Sequence, residues 1–478
     1  MNYRMIKNVI GWILLFEAGF FLIPMVTALV YAEKEIFSFG LSALICMAAA
    51  SILIFVAKPK SKTLYSREGF VIVSLSWIFL SLFGALPFVF SNTIPNYVDA
   101  LFETVSGFST TGASILPAVE HLPRSILMWR SFTHWVGGMG VLVFIMAFLP
   151  LGGGGNMHIM KAESTGASVS KLVPRIKTTA LILYTIYLSL TLLQFILLLC
   201  GGMSVFESIN TAFATAGTGG FGIKNDSMNS YSSYLQIVTA VFMLLFSINF
   251  SSYYLAIRGR FKNAFNAEVR GFIVIVVTAV ALITLNIRGM FDSLFESFKH
   301  SLFTVASIIS TSGFSTVDFD LWPELSKTVI VLIMFIGACA GSTGGGIKVS
   351  RMIILVKGAF KELSQMLHPK QVKKVTMDKR PVEHEVVRSV NAYIVCFVLI
   401  FVVSLVLISF DNKGLVTNFT AVTSMLNNIG PGLSEVGPTQ NYASFSVFSK
   451  IVLIFDMLAG RLELFPMLLL FKPGTWKK

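Results

Sequence analysis

The chain has 478 residues, of which 55% are hydrophobic and only 13% charged, with a mean hydropathy of +0.77. Soluble domains carry about 25% charged residues, so this composition excludes a water-soluble enzyme of two or three domains and points to a polytopic membrane protein. The net charge of +13 would favour nucleic acid in a soluble chain, so its placement has to be read first.

The N-terminus, Met1 to Lys7 followed by an apolar run, is similar to a signal peptide. The run from Val9 to Tyr31 is too long for one and no small-residue cleavage site follows, so a retained first helix is expected. A span needs about 20 apolar residues. Ten candidates follow in chain order: 9–31, 39–57, 69–90, 126–150, 178–200, 233–257, 271–287, 327–356, 389–410 and 446–471. Shorter apolar pieces lie between several of them, near 100–109, 205–214, 299–310 and 418–427. Ten residues at about 1.5 Å each reach only halfway across, so these pieces are expected to be re-entrant half-helices covered by protein. Cys46, Cys200, Cys339 and Cys396 sit far apart in apolar runs, with neither disulfide nor zinc spacing.

The basic residues fall in alternate loops. Lys58, Lys60, Lys62 and Arg67 share one, Arg258, Arg260, Lys262 and Arg270 a second. Lys357, Lys361, Lys370, Lys373, Lys374, Lys379, Arg380 and Arg388 share a third, whereas the intervening loops carry Asp99, Glu103 and Glu120, or Asp318, Asp320 and Glu324. The positive-inside rule makes the basic loops cytoplasmic, and ten spans then place both termini inside. The +13 becomes a topology signal and no nucleic-acid partner is expected. The longest polar stretch, 357–388, is too short for a soluble domain, so any nucleotide-sensing module belongs to another chain.

Four ten-residue windows align without gaps: ETVSGFSTTG (103–112), SINTAFATAG (208–217), TVASIISTSG (304–313) and AVTSMLNNIG (421–430). Their closing glycines are spaced by 105, 96 and 117 residues, and each window lies between two spans. The unit is span, half-helix, Gly-bearing loop, span, which crosses the membrane twice and so starts on the same face every time. Four copies around one axis surround a pore. The expected fold is an all-α polytopic membrane protein of ten transmembrane helices, with four pseudo-fourfold repeats around a central pore and two extra N-terminal helices. The expected units are 1–62 (appendage), 63–165, 166–265, 266–375 and 376–478.

A half-helix entering from outside aims the negative end of its dipole at the bilayer centre, where it stabilises a cation. The chain then returns through STTGAS, ATAGTG, STSGFS and NNIGPG, with a glycine free to turn several carbonyl oxygens toward the axis. Rings of such oxygens can replace an ion's hydration shell. The competing reading, small-residue helix packing, leaves the recurring half-helix unexplained.

Segment 337–348 (GACAGSTGGGIK) interrupts the span 327–356 with Gly344, Gly345 and Gly346 in a row. Each costs a helix about 1 kcal/mol relative to Ala, so an irregular intramembrane stretch lining a cavity is expected, against a plain kink in a packed helix. Lys348 follows Ile347 rather than Gly346, which argues against a phosphate-binding loop. Arg461 falls near mid-membrane, facing the pore or paired with Asp456 or Glu463. Glu17 most simply satisfies a neighbour at a helix interface, and Arg130 and His134, at i and i+4, are expected to support the filter's outer end. No nucleophile–base pair or paired carboxylates lie within the membrane, so no enzyme is expected.

The four loops, the GACAGSTGGGIK and GRLELFP (460–466) segments and the two extra N-terminal spans resemble the Trk/Ktr/HKT superfamily of potassium transporters over nearly the whole chain, within it the membrane subunit of the bacterial Trk system. That resemblance implies potassium binding by Thr110, Thr111 and Gly112, by Thr215, Ala216 and Gly217, by Thr311, Ser312 and Gly313, and by Asn428, Ile429 and Gly430. It implies potassium uptake, and Gly112, where some plant relatives that carry sodium have serine, favours potassium over sodium. It further implies a gate formed by Gly344, Gly345, Gly346 and Lys348 with Arg461 facing the pore. A homodimer in the bacterial inner membrane is implied, seated on a cytosolic TrkA-like ring. No cofactor is expected in this chain, and a nucleotide (ATP/ADP or NAD) only on that ring. The fourth filter departs most, with bulky Ile429 and with Pro431 after the glycine. A proton- or sodium-coupled symporter working by alternating access is the alternative. It usually places ionisable groups at a midplane site, where this chain offers mainly Arg461, of the wrong sign.

Overall fold

The structure, a computed structural model, describes residues 1–57, 65–140, 176–371 and 374–476. The expected loop lysines Lys58, Lys60, Lys62 and Lys373, and the end of the expected span 126–150, lie outside the described residues. Apart from a two-residue hairpin, Thr376–Met377 against Arg380–Pro381, the described chain is helical. Aliphatic side chains such as Val395, Leu399, Val402 and Val406 stand exposed along one face of helix His384–Ile408, the pattern of a surface that meets lipid. The chain is an all-α multi-pass membrane protein.

Helices Tyr3–Phe20 and Ile36–Val56 form the N-terminal appendage. Gly11 lets them approach: a Cβ there would lie 2.8 Å from Ile54 Cγ1. Aromatic packing joins the appendage to the rest, with the ring of Phe21 4.7 Å from that of Trp129, whose indole N–H donates to Gly84 O at 3.0 Å. Glu17 is buried at this seam, where the Cys46 thiol reaches its Oε2 at 3.7 Å.

Four short helices recur: Tyr97–Phe108, Val205–Ala216, Leu294–Ile309 and Leu415–Asn427. At 12 to 16 residues they span about 18–24 Å, too short to cross the hydrocarbon. Side-chain caps fix where the first three begin: Asn96 accepts from Val98 N, Ser204 from Glu207 N and Ser293 from Glu296 N. A returning helix follows each: Arg124–Gly138, Ser233–Phe246, Glu324–Phe335 and Val447–Arg461.

Three of the expected spans that contain returning helices are broken. Among the described residues, six helical stretches are long and apolar enough to cross unaided, and a bent pair makes a seventh. The span 233–257 turns by 90° between Phe246 and Phe250. The span 327–356 is non-helical from Ile336 to Lys348, as the glycines led one to expect. The span 446–471 breaks at Leu462–Leu464, where Glu463 and Leu464 have φ of +55° and +67°. Only the break at 336–348 was expected.

Candidate functional site

Each short helix ends the same way. One residue takes a left-handed backbone (Thr110, Thr218, Thr311, Asn428, φ +55° to +61°), and two positions later a glycine does so again (Gly112, Gly220, Gly313, Gly430, φ +78° to +103°). The residue between them donates its N–H five positions back: Thr111 to Ser106, Gly219 to Ala214, Ser312 to Ser307 and Ile429 to Ser424, at 2.8–2.9 Å. This is the helix-terminating turn that a left-handed residue permits.

The pattern shifts the register of the second loop. Thr215, Ala216 and Gly217 are not the counterparts of Thr110, Thr111 and Gly112; Thr218, Gly219 and Gly220 are. Thr215 and Ala216 still belong to the helix, where the Thr215 hydroxyl donates to Thr211 O, and Gly217 is its cap with φ −69°. Gly217 is needed for a different reason, since a Cβ there would lie 2.2 Å from His134 O. A usable signal was present. From cap to closing glycine, Asn96 to Gly112 and Ser204 to Gly220 span the same sixteen residues, and Gly220–Phe221 parallels Gly313–Phe314.

The four loops meet in a closed ring. A Cβ on Gly112 would lie 1.8 Å from Gly219 O, one on Gly220 1.8 Å from Ser312 O, one on Gly313 2.3 Å from Ile429 O and one on Gly430 2.7 Å from Thr111 O. Each repeat's glycine thus faces the carbonyl before the next repeat's glycine, and the fourth returns to the first. All four glycines line one cavity of about 140 Å³. The four loops carry the backbone oxygens of Thr110, Thr111 and Gly112, then Thr218, Gly219 and Gly220, Thr311, Ser312 and Gly313, and Asn428, Ile429 and Gly430. Apart from Gly430 O, they accept no hydrogen bond from any described residue. Buried backbone carbonyls almost always have partners, so unpaired oxygens beside a shared cavity are free to take an ion or water from it.

Side chains hold the loops from behind. Hydroxyl pairs link Ser109 to Thr111 (2.7 Å) and Ser310 to Ser312 (2.8 Å). The Asn428 amide donates to Thr111 Oγ1 at 3.0 Å and to Met457 O at 2.9 Å, tying the fourth loop to the first. His134, 0% exposed, donates from Nδ1 to Gly107 O (2.7 Å) and accepts at Nε2 from Phe221 N (3.3 Å), which fixes the neutral tautomer. Arg130 pairs with Glu103 at 2.8 Å and stands 4.1 Å over the Phe221 ring, while Glu103 also accepts from Ser114 and from Ile115 N. The pair Arg130 and His134 therefore buttresses the loops, the role their spacing suggested.

The broken third helix lies against the same ring. Gly345 N donates to Thr311 Oγ1 at 2.7 Å, and a Cβ on Gly345 would lie 2.5 Å from Asn427 O. A Cβ on Gly344 would meet Ala338 Cβ at 2.5 Å and Ser310 O at 2.8 Å, and Gly346 has φ +72°. Gly337 N to Ile347 O (2.8 Å) and Cys339 N to Ser247 O (3.0 Å) fasten the stretch, as do Phe250 N to Gly341 O and the Glu268 carboxylate on Ala340 N. Lys348, 1% exposed, turns back and donates to Gly344 O and Gly345 O. Arg461 donates to Thr343 O (2.8 Å), Gly137 O (2.6 Å) and Gly138 O (2.8 Å). Of its expected carboxylate partners, Asp456 accepts from Ser404 at 2.7 Å and Glu463 pairs with Arg351. Arg461 ties the glycine stretch to the end of the first returning helix.

Comparison with known proteins agrees with this architecture. The family model for TrkH, described as a cation transport protein, matches residues 35–477. The chain is 35% identical over 486 residues to the Trk system potassium uptake protein TrkH of Salmonella typhimurium, and equally to that of Escherichia coli (strain K12), covering 100% of each chain. The crystal structure of the potassium transporter TrkH from Vibrio parahaemolyticus superposes with a TM-score of 0.90 at 32% identity, covering 100% of both chains. The chain belongs to the TrkH family of cation transport proteins, a family of membrane transporters and not of enzymes.

Proposed function

We propose that the chain takes up potassium by conduction through the stacked oxygens of Thr110–Gly112, Thr218–Gly220, Thr311–Gly313 and Asn428–Gly430. The observation that carries this reading is the set of loop carbonyls of which all but Gly430 O accept nothing from the described residues. Eight or so oxygens around a dehydrated ion replace its water, and the four helix ends aimed at the ring add roughly half a negative charge each. The glycine stretch 341–346, Lys348 and Arg461 act as the gate below. Both cationic side chains now bind carbonyl oxygens, and a fixed positive charge on the path slows cations. Conduction is favoured over proton- or sodium-coupled symport because these two groups, Lys348 and Arg461, have the wrong sign for a coupling-ion site.

The curated relatives are named as proteins of a Trk system, so this chain acts as the membrane subunit of such a system. We place it in a bacterial inner membrane with both termini cytoplasmic, as a homodimer on a TrkA-like ring that carries any nucleotide. The test is rubidium tracer uptake in cells whose potassium supply depends on this chain. Gly313→Ser should collapse discrimination between rubidium and sodium at least about tenfold, because its Cβ would displace Ile429 O. Unchanged discrimination would defeat the assignment of the oxygens.

A further inference from the structure

Gly430 O differs from the rest of the ring. It accepts from Ser424 Oγ at 2.7 Å and from the Tyr442 hydroxyl at 2.9 Å, so both of its lone pairs are engaged. Gly112 O, Gly220 O and Gly313 O accept nothing from any described residue. The glycine's own backbone differs in the same sense, with φ +103° against +78° to +80° at the other three. Pro431 follows it and biases the preceding residue toward extended ψ, which sets the orientation of that peptide.

Tyr442 is built to hold this arrangement. It is 2% exposed, its backbone N–H donates to Ser114 O at 2.9 Å, and its ring packs 5.8 Å from Phe102 and 5.7 Å from Phe445. It lines the same cavity as the four glycines. Tyr442 therefore bridges two loops, with its backbone on Ser114 after the first and its hydroxyl on the last carbonyl of the fourth, and its packed ring holds it there.

We propose that the outermost ion position is a three-oxygen site, and that Tyr442 is the positioning residue that keeps it so by holding the Gly430 carbonyl off the axis. The inference rests on the reading of the loops as a potassium filter. A carbonyl bound by two hydroxyls must break both bonds to turn toward an ion. An outer position short of one oxygen binds a dehydrated ion less tightly than the full rings below and hands it inward readily, which multi-site conduction requires.

The test is rubidium uptake by Tyr442→Phe, which keeps the ring, and by Ser424→Ala, which removes the other donor, each alone and combined, with sodium as competitor. Release of Gly430 O should lower the apparent KM for rubidium roughly two- to tenfold per lost hydrogen bond while Vmax falls, because an ion held longer at the mouth leaves it more slowly. A residue needed only for folding would lower Vmax through protein amount and leave KM and sodium competition unmoved. Unchanged KM in both variants and in their combination overturns the proposal. So does a raised KM, which would mean that Gly430 O already serves the ion. Gly313→Ser run beside them separates the two readings: if it alters selectivity while the Tyr442 and Ser424 variants do not, the filter stands and the three-oxygen site falls.

Discussion

Glycine closes every loop because the place its Cβ would take is already occupied by a carbonyl from the next repeat. The left-handed φ is the lesser reason, since Thr110, Thr218 and Thr311 adopt the same region with a side chain. The two constraints predict different substitutions. At Gly220, a Cβ 1.8 Å from Ser312 O must push the third loop aside, so Gly220→Ala should abolish selective rubidium uptake. At Thr215, whose hydroxyl only back-bonds to Thr211 O inside the helix, Thr215→Ala should cost at most about 1 kcal/mol and leave the rubidium-to-sodium ratio of uptake unchanged. A change of selectivity in Thr215→Ala and none in Gly220→Ala would restore the register expected from the gapless alignment. That alignment failed for a physical reason. Three of its windows end on the glycine that meets a neighbour's carbonyl, whereas ATAG ends on one that meets a helix, and letter identity cannot separate the two demands. The charged side chains were legible only in part. The carboxylates near Arg461 in sequence suggested its partners, while the fold supplies carbonyls from residues more than a hundred positions away.

The spans and half-helices follow from hydropathy and length, and three of the four half-helices also carry their start signals in Asn96, Ser204 and Ser293. The breaks in the returning helices were less legible. The third is written locally by consecutive glycines. The second has no glycine or proline at Ser247–Asn249; the Asn249 side chain starts the next helix at Ser251 N, and Phe246 O accepts from both Thr343 N and Thr343 Oγ1. The glycine stretch of one repeat thus satisfies the broken end of another, and a break made by tertiary contact leaves no local trace. The fourth break leans on Arg351, which pairs with Glu463 and stands 4.1 Å over the Tyr393 ring. This ion pair joins the helix that leaves the glycine stretch, Val349–Leu367, to the kink of the fourth returning helix. Glu463→Gln should destabilise the protein by about 2–4 kcal/mol, read as a lower thermal midpoint, because a nearly buried guanidinium loses its counter-charge. Under the proposed gate, Arg461→Ala acts on the path itself. It releases Thr343 O, Gly137 O and Gly138 O, and should raise rubidium flux several-fold with selectivity intact. A flux at or below wild type in folded protein would make Arg461 a structural strut only.

Across the whole molecule the charge asymmetry and the site make one joint claim, because the ring's open cavity and the basic loops must lie on opposite sides of the bilayer. The cavity is lined by Gln440, Asn441 and Asn225, on loops that follow the half-helices. The helix Val349–Leu367 and the hairpin after it carry Lys357, Lys361, Lys379 and Arg380. Thiol labelling tests the arrangement. In a background with Cys200→Ser and Cys396→Ser, which leaves only buried Cys46 and Cys339, an impermeant maleimide should label Gln440→Cys in intact cells. It should reach exposed Glu362→Cys only after the membrane is opened. Labelling at Gln440→Cys should also slow in the presence of a large organic cation that blocks the cavity, since the residue lines its wall. The reverse pattern would invert the molecule. The half-helices would then start from the cytosol, and the positive charges would face the outside against the bias that orients multi-pass chains. An ion arriving from outside would meet Lys348 and Arg461 before the carbonyl rings, so the same labelling that fixes the orientation also decides whether the filter stands ahead of the gate.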